Sequence, residues 1–328
     1  MKTAECVFPG HPDKICDQIS DAILDECLKQ DPNSRVAIET MGGHGIITIT
    51  GELTTEAYVD MRKVAQNVYR DLGYHDKIGV QENVVSQSPE ISQGVDTGGA
   101  GDQGIMVGYA TKATKTMMPL EYELARKLAK GVSEMNGYGP DGKCQVTLEG
   151  NDVKTVVLSV QTKKSAISKE QVEKILGAKC ENYFFNPTGK FEIGGFEADT
   201  GLTGRKLAVD NYGPQIPVGG GCFSGKDATK VDRSAAYMAR YLAKWFLQEN
   251  PNEEEALVKI AYSIGVAEPV MVTINGDAAK NLPFDLTPAG IIKFLDLKKP
   301  IYRETAQFGH FGNENFSWEK VKTEARAN

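Results

Sequence analysis

Apolar residues near the start of the chain recur with the period of a helix. Between Asp13 and Gln30 they stand three or four positions apart, at Ile15, Ile19, Ile23, Leu24, Cys27 and Leu28. This spacing is typical of an amphipathic helix, because an α-helix turns once every 3.6 residues. The sequence therefore predicts a helix with one buried face between Asp13 and Gln30.

The pattern then changes to that of strands. Residues 35–39 and 46–53 are short β-branched runs that flank a glycine-rich turn, which is typical of a hairpin. Thr54 and Thr55 offer caps for a second helix, and the glycine after Leu72 is placed to end it.

A similar order of elements recurs along the chain. A strand, a helix, paired strands and a helix can be traced from residue 105 to about residue 176, and again from residue 191 to residue 297. Glycine, proline, serine and asparagine concentrate near 87–99 and 187–190, as expected of boundaries. We therefore predict three similar α+β domains, at residues 1–96, 97–188 and 189–328. The division depends on element order, because the three parts share no convincing sequence repeat.

Composition narrows the class of protein. The 328 residues are 41% hydrophobic and 25% charged, as in soluble globular proteins. A net charge of -7 gives no basic footprint for nucleic acid. The six cysteines form no C-x-x-C pair, which argues against a zinc site or a disulfide scaffold. The apolar runs are too short to cross a bilayer, and the N-terminus does not look like a signal peptide. We expect a cytoplasmic protein that binds neither nucleic acid nor membrane.

Two segments are suited to binding a polyphosphate. Residues 10–14, Gly-His-Pro-Asp-Lys, precede the first helix, where Asp13 is a candidate cap and free N–H groups favour anions. Taken alone, this pentapeptide is more often a turn with a solvated histidine. Residues 219–227 nearly match a Walker A loop, but Asp227 replaces the metal-binding hydroxyl and the preceding residues make a poor strand.

We therefore reject a P-loop NTPase for residues 219–227. Lys226 and Lys230 stand about one helical turn apart and are predicted to face one polyphosphate, with Asp232 as a metal ligand. The alternative is a flexible glycine loop before a solvated charged helix.

Two further glycine turns are weak signals by themselves. Residues 201–206, Gly-Leu-Thr-Gly-Arg-Lys, present Arg205 for bidentate phosphate contacts and Lys206 as a point charge. Residues 99–104, Gly-Ala-Gly-Asp-Gln-Gly, precede an apolar strand, and Asp102 is either a ligand-binding carboxylate or a turn residue.

Together these segments, in this order, closely resemble the S-adenosylmethionine synthetases. The resemblance extends over the whole chain and includes Gln87-Ser88-Pro89, Asn186-Pro187-Thr188-Gly189 and His310-Phe311-Gly312. It implies a pseudo-threefold arrangement of three α+β domains, each a mixed or antiparallel sheet packed with helices. It also implies a homodimer, often further paired into a tetramer, whose active sites lie between subunits.

The resemblance also implies roles for individual residues. Asp13 and Asp232 resemble ligands of Mg²⁺, two ions per site, and Glu39 resembles the ligand of K⁺. The positions that hold L-methionine in the family are Glu52, Gln87, Asp199 and Lys230. The positions that contact ATP are His11, Asp102, Asp141, Lys143, Lys190, Phe191, Asp199, Arg205, Lys206, Cys222 and Lys226. The implied catalytic set is His11, Lys143, Asp199, Arg205, Lys226 and Lys230.

The implied activity is that of a methionine adenosyltransferase. The thioether of methionine would attack C5′ of ATP directly, so orientation and charge stabilisation on the departing triphosphate matter most. Hydrolysis of triphosphate to phosphate and diphosphate follows in the family. The rivals are a catalytically silent homologue that binds ATP and regulates a partner, and an enzyme that mainly hydrolyses triphosphate.

The chain departs from the family pattern at several positions. Pro9 stands where an acidic residue is common, Lys190 replaces arginine, and Gly142 and Cys222 replace alanine. The chain is also shorter, with much of the loss between residues 96 and 99 in a segment that forms a mobile loop in the family. We expect altered gating or product release from this shortening.

Overall fold

The computed structural model describes residues 1–86, 98–163 and 167–322. The first third of the chain forms β1 (Lys2–Val7), α1 (Pro12–Gln30), β2 (Arg35–Gly43), β3 (Ile46–Thr54), α2 (Met61–Asp71) and β4 (Gly79–Val85). The middle forms β5 (Gly104–Thr111), α3 (Leu120–Ser133), β6 (Gly142–Glu149), β7 (Asp152–Val160), α4 (Lys169–Leu176) and β8 (Asn182–Phe185). The last part forms β9 (Gly201–Leu202), α5 (Leu207–Asp210), α6 (Val231–Glu249), β10 (Glu255–Tyr262), β11 (Met271–Ile274), β12 (Asp277–Ala278), α7 (Pro288–Leu295) and α8 (Tyr302–Phe308).

Helix α1 lies at the centre of the protein. Its predicted position is confirmed, but the prediction of one buried face is wrong, because all but three of its 19 residues are buried. It packs against α2, α8, β2 and β9. The polar side of α1 is therefore covered by other segments, and its buried aspartates need hydrogen-bond partners there.

The predicted hairpin is confirmed, whereas the predicted start of α2 is wrong. Strands β2 and β3 pair around a turn in which His44 and Gly45 both have positive φ, 49° and 87°. Helix α2 begins six residues later than Thr55, because Asp60 caps it by accepting the N–H of Lys63 at 3.0 Å. The hydroxyl of Thr55 instead donates to Asp31.

Within the described residues, three four-stranded sheets organise the fold. Their strand orders are β9-β2-β3-β4 (the first sheet), β1-β6-β7-β8 (the second sheet) and β5-β10-β11-β12 (the third sheet). In each, an antiparallel hairpin accepts an antiparallel strand from another part of the chain. The fourth strand is parallel in the first two sheets and antiparallel in the third. The predicted α+β class with mixed and antiparallel sheets is confirmed.

Each sheet contains one strand that comes from a different predicted domain than the other three strands. Strand β1 joins the second sheet, with Lys2 opposite Leu148, and β5 joins the third sheet. Strand β9 returns to the first sheet, with Leu202 opposite Met41. One hydrophobic core is formed by the second sheet together with helices α3 and α4. The other is formed by the first and third sheets together with helices α1 and α6. The boundaries at residues 96 and 188 stay a prediction.

Two expectations from composition, reduced cysteines and no membrane-spanning segment, can be compared with the described residues. All six cysteines lie in the described residues and are free thiols, four of them buried. Among the described residues, none of the helices is both long and apolar enough to span a membrane.

Candidate active site

The N-terminus of α1 forms one end of the candidate site. His11, and not Asp13, is the cap residue: its Nδ1 accepts the backbone N–H of Asp13 at 3.2 Å. Burial, with the nearby charge of Lys206, lowers the pKa of His11 to about 4, although Asp13 opposes this. His11 is therefore neutral at physiological pH. Asp13 is 1% exposed and accepts the N–H of Leu202 at 3.0 Å.

The loop at residues 201–206 brings two cations to Asp13. Lys206 forms an ion pair with the Asp13 carboxylate, and Nε of Arg205 lies 3.5 Å from the other oxygen. Arg205 is half-exposed, whereas Lys206 is mostly buried. Residues 11–13 and this loop thus meet in the structure, although Asp13 and Leu202 are 189 positions apart.

The glycine-rich loop at residues 219–226 packs tightly against the start of β5 and the first turn of α6. A Cβ on Gly219 would lie 2.0 Å from the carbonyl oxygen of Ile105, and one on Gly221 would lie 2.0 Å from the carboxylate of Asp232. Only glycine permits these approaches. In the described part of the chain, residues 211–219 form no strand ahead of the loop, in agreement with the rejection of a P-loop.

Both lysines of this segment lie ahead of helix α6, with Lys226 in the loop and Lys230 at the helix cap, and that they face one polyphosphate stays a prediction. Helix α6 begins at Val231, because Asp227 folds the preceding residues into a turn by accepting the N–H and hydroxyl of Thr229. Lys226 pairs with Asp232 at 2.6 Å, and Lys230 pairs with Asp227 at 2.6 Å.

The two loops touch and form one continuous surface. A Cβ on Gly204 would lie 2.7 Å from Sγ of Cys222. Burial raises the pKa of Cys222 to about 12, so the thiol stays protonated. Gly104, which ends the segment containing Asp102, lies against Asp232. Asp102 itself is exposed, and its carboxylate accepts the N–H of Gln103 at 2.7 Å. The segment at 99–104 therefore also reaches the Asp232 side of the site.

Two glutamates lie on the outer face of the first sheet. Glu39 and Glu52 belong to neighbouring strands, with Glu39 opposite Thr50 and Glu52 opposite Ala37. Desolvation and the charge of Glu52 raise the pKa of Glu39, although Lys226 acts in the opposite direction. Since Lys226 influences Glu39, this face adjoins the glycine-rich loop.

Lys143 and Asp199 flank His11 from two other segments. Lys143 on β6 pairs with Glu5 at 2.7 Å, and both Lys143 and exposed Asp199 are near enough to affect the pKa of His11. Asp141 is 5% exposed and accepts the N–H of Gly195 at 2.8 Å, which anchors the loop before Asp199. Burial raises the pKa of Asp141 to about 6.

The remaining predicted residues have fewer described contacts with the two cationic loops. Phe191 pairs with Thr162 in an isolated β-bridge, and Lys190 extends into solvent, 3.7 Å from Glu192. The described contacts do not join these two residues to the loops. Gln87 and the start of the shortened segment lie outside the described residues.

The substitution at Gly142 has a packing explanation. A Cβ at this position would lie 2.9 Å from the ring of Phe8, so an alanine requires that ring to move. Because residue 142 precedes Lys143, the glycine permits close seating of β6 against the chain before α1.

Sequence reasoning missed a set of buried charged residues beneath the loops. Lys14 contacts Asp17 at 3.0 Å and Asp210 at 2.5 Å, and Asp21 makes a bidentate pair with Arg233 at 2.6 and 2.9 Å. The available signal was the regular four-residue spacing of aspartates in α1. The apolar residues alone predict the helix, so this spacing of aspartates adds nothing to its location and indicates only its buried partners.

His310 is buried in an aromatic cluster, which gives the packing role that the sequence left open. Its Nδ1 lies 2.8 Å from the hydroxyl of Tyr237, and its ring packs edge-on against Phe223 at 4.8 Å between centroids. Burial, assisted by Arg233, lowers the pKa of His310 well below 6.5.

Replacing His310 by glutamine is expected to reduce the loss of stability in mild acid. The wild-type unfolded state binds a proton near pH 6.5 that the folded state does not bind, so stability falls as pH drops below 6.5. This contribution is at most about 1.4 kcal/mol per pH unit. Asp25 and Asp141, whose pKa values are raised to about 6, act in the opposite direction in both proteins. Urea midpoints from pH 7.5 to 5 check this; parallel curves for the two proteins would contradict it.

The fold and the site together place the chain among three-part α+β enzymes whose cationic loops suit an anionic substrate. S-adenosylmethionine synthetase models match in three parts: the N-terminal domain at residues 1–94, the central domain at 97–191 and the C-terminal domain at 193–320. The chain belongs to the S-adenosylmethionine synthetase family, and it is an enzyme of the methionine adenosyltransferase class.

Curated relatives align with this chain over nearly their whole length. The S-adenosylmethionine synthases of Nitratiruptor sp. and Brachyspira hyodysenteriae are 46% and 45% identical, each over 97% of this chain and 95% of the relative. That of Staphylococcus epidermidis is 46% identical over the same shares. The alignments span 367 to 379 positions, so the chain is somewhat shorter than its relatives.

Proposed function

We propose that this enzyme joins the sulfur of L-methionine to C5′ of ATP by direct attack and then hydrolyses the departing triphosphate to phosphate and diphosphate. The main observation in support of this reaction is that two contacting loops hold Arg205, Lys206 and Lys226 beside Asp13 and Asp232. Cations fixed in place before the reaction stabilise charge that develops on a leaving group.

The two lysine–aspartate pairs support binding of a metal together with a polyphosphate. Lys206 with Asp13 and Lys226 with Asp232 are each nearly neutral as pairs. A triphosphate would draw the lysines to its oxygens and leave the carboxylates for Mg²⁺. Within the described ranges no group of three or more His, Cys, Asp and Glu side chains is arranged to hold a metal. Mg²⁺ commonly uses one or two carboxylates plus substrate phosphates, so these residues fit two ions that arrive with ATP. Bound Mg²⁺ would neutralise triphosphate charge.

Metal binding is therefore expected to depend on the polyphosphate. Mn²⁺, followed by electron paramagnetic resonance as a probe for Mg²⁺, should bind at least about tenfold more tightly with inorganic triphosphate than without it. Asp232→Asn should remove one of the two bound ions and leave the other. Tight Mn²⁺ binding without triphosphate, or unchanged stoichiometry in the variant, would contradict the exchange of partners.

His11 is suited to contact the leaving group as a hydrogen-bond donor. Because its Nδ1 accepts a backbone N–H, the neutral ring carries its proton on Nε2. Lys143 adds positive charge on the same side. We assign the remaining ATP contacts to Asp102, Asp141, Lys190, Phe191, Asp199 and Cys222, as the family resemblance implies.

The methionine subsite is proposed beside the outer face of the first sheet. Carboxylates at Glu52 and Asp199 suit the ammonium of methionine, and Lys230 suits its carboxylate. Gln87 is assigned to the same subsite by resemblance, and Glu39 to K⁺. Catalysis then depends on orientation of the thioether, since direct attack needs no enzyme nucleophile.

We propose a homodimer through this face of the first sheet. Met41, Ile46, Val85 and Leu202 are exposed by 39% or more and stand in register on the side that carries Glu39 and Glu52. An exposed apolar sheet face is suited to burial against a second copy. Such a dimer would enclose the methionine subsites between subunits. Sedimentation equilibrium tests it, and a monomer at micromolar concentration would contradict it.

The decisive experiment is a single-turnover assay with ATP, L-methionine, Mg²⁺ and K⁺, in which S-adenosylmethionine is followed by mass spectrometry. Product that requires methionine supports the proposed reaction. Tight ATP binding without product would indicate a silent homologue, and phosphate release without methionine would indicate a triphosphatase.

A further inference from the structure

Four aspartates line one side of α1 at intervals of four residues. Residues spaced by four lie one above another on a helix. All four are buried, and each accepts backbone N–H groups from a segment late in the chain. The pairs are Asp13 with Leu202 at 3.0 Å, Asp17 with Gly204 at 2.8 Å, Asp21 with Gly225 at 2.8 Å, and Asp25 with Tyr302 and Arg303 at 2.9 Å each.

Asp17 holds the loop that carries Arg205 and Lys206. Its Oδ1 accepts the N–H of Gly204, the residue directly before the two cations. Its Oδ2 accepts from Nζ of Lys14, and that ammonium also contacts Asp210. Asp210 ends α5, which follows Lys206 directly. The two cations are thus held to α1 on both sides of their loop.

Asp21 holds the glycine-rich loop in the same way. Its Oδ1 accepts the N–H of Gly225, the residue directly before Lys226. Gly225 has φ of 82°, and a Cβ there would lie 1.9 Å from the carbonyl oxygen of Ile38. Arg233 pairs with Asp21 and donates to the carbonyl oxygens of Phe223 and Lys226 at 2.9 and 3.1 Å.

We infer that Asp17 and Asp21 are positioning residues that set the spacing between the two cationic loops. The inference depends on the proposed binding of a polyphosphate between these loops. Hydrogen bonds to ionised acceptors are shorter and stronger than neutral ones. Two such bonds from successive turns of one rigid helix fix Gly204 and Gly225 relative to each other, and with them Arg205, Lys206 and Lys226.

Asp17→Asn tests the inference, with Asp25→Asn as the matched control. In asparagine an NH2 donor replaces one of the two carboxylate oxygens, so either the N–H of Gly204 or the ammonium of Lys14 faces a donor where it now has an acceptor, and the negative charge is lost. Asp25 belongs to the same row and also accepts two donors, but it holds α8 and not a cationic loop. We expect the Kd for inorganic triphosphate with Mg²⁺, measured by calorimetry, to rise about tenfold in Asp17→Asn and to stay within twofold in Asp25→Asn.

Hydrogen exchange adds a readout that general destabilisation would not reproduce. Peptides covering residues 202–206 should exchange faster in Asp17→Asn, whereas those covering α8 should do so in Asp25→Asn. Should Asp17→Asn fail to fold, Asp17→Glu, which keeps the charge but moves the oxygens, carries the same comparison.

Unchanged triphosphate affinity in a folded Asp17 variant, or an equal loss in the Asp25 variant, would overturn the positioning role. The binding assay contains no methionine, so failure of adenosyl transfer in the wild type would refute the proposed reaction without deciding this point.

Discussion

Lys226→Ala is expected to lower the single-turnover rate of S-adenosylmethionine formation by about 10²- to 10³-fold. Removing one preorganised group that stabilises a developing anion typically lowers the rate by a factor of about this size. Lys226 is also the ion-pair partner of Asp232 at 2.6 Å. Its loss therefore leaves that carboxylate unpaired, and Mn²⁺ binding without triphosphate should become tighter. The rate and the metal affinity should change in opposite directions.

Lys299→Ala provides the matched control for Lys226. Lys299 also forms an ion pair with an aspartate, Asp296, but both side chains are more than half exposed. Exposed pairs contribute little to stability, and this one is distant in sequence from both cationic loops. The control should retain the wild-type rate. A Lys226 variant that keeps more than about a tenth of that rate would remove Lys226 from the proposed catalytic set.

Arg233→Met is expected to lower the free energy of unfolding by about 3–5 kcal/mol, because it leaves the Asp21 carboxylate buried without its cation. Neither residue of the pair is exposed. The guanidinium also lies over the ring of Tyr302, 4.2 Å from its centroid. Urea unfolding can be followed by tryptophan fluorescence, to which Trp318, stacked on Tyr237 at 3.8 Å, contributes.

Two comparisons isolate the ion pair in that experiment. Arg62→Met makes the same change at an exposed position of α2 and should alter the urea midpoint very little. The double variant with Asp21→Asn and Arg233→Met should lose less than the sum of its single variants, since no charge is left unpaired. Strictly additive losses would contradict the account of a coupled buried pair.

Local patterns predicted local structure well. The three-to-four spacing from Ile15 to Leu28 located α1, and the β-branched runs located β2 and β3. The start of α2 was misassigned because Thr54, Thr55 and Asp60 are all acceptable caps, and only the tertiary contact of Thr55 with Asp31 decides among them.

The site was predictable where short motifs carry it and not where distant segments meet. Family motifs pointed to Asp13, Lys206 and Asp232, and the structure pairs the two aspartates with lysines. The buried partners of α1 could not be predicted, because Asp17 and Gly204 are separated by 187 residues. The turn at Asp227, which places Lys226 and Lys230 ahead of α6, could not be predicted from the glycine-rich segment alone.

The interleaving of strands has a consequence for synthesis of the protein. While the ribosome is still producing the middle of the chain, β1 has no partner, because its neighbour β6 begins at Gly142. The hairpin of β2 and β3 likewise keeps an open edge until Leu202 has emerged. Unpaired strand edges promote aggregation, and pairings between distant residues slow folding. We therefore expect the early strands of the nascent chain to be prone to aggregation until about two thirds of it has been translated.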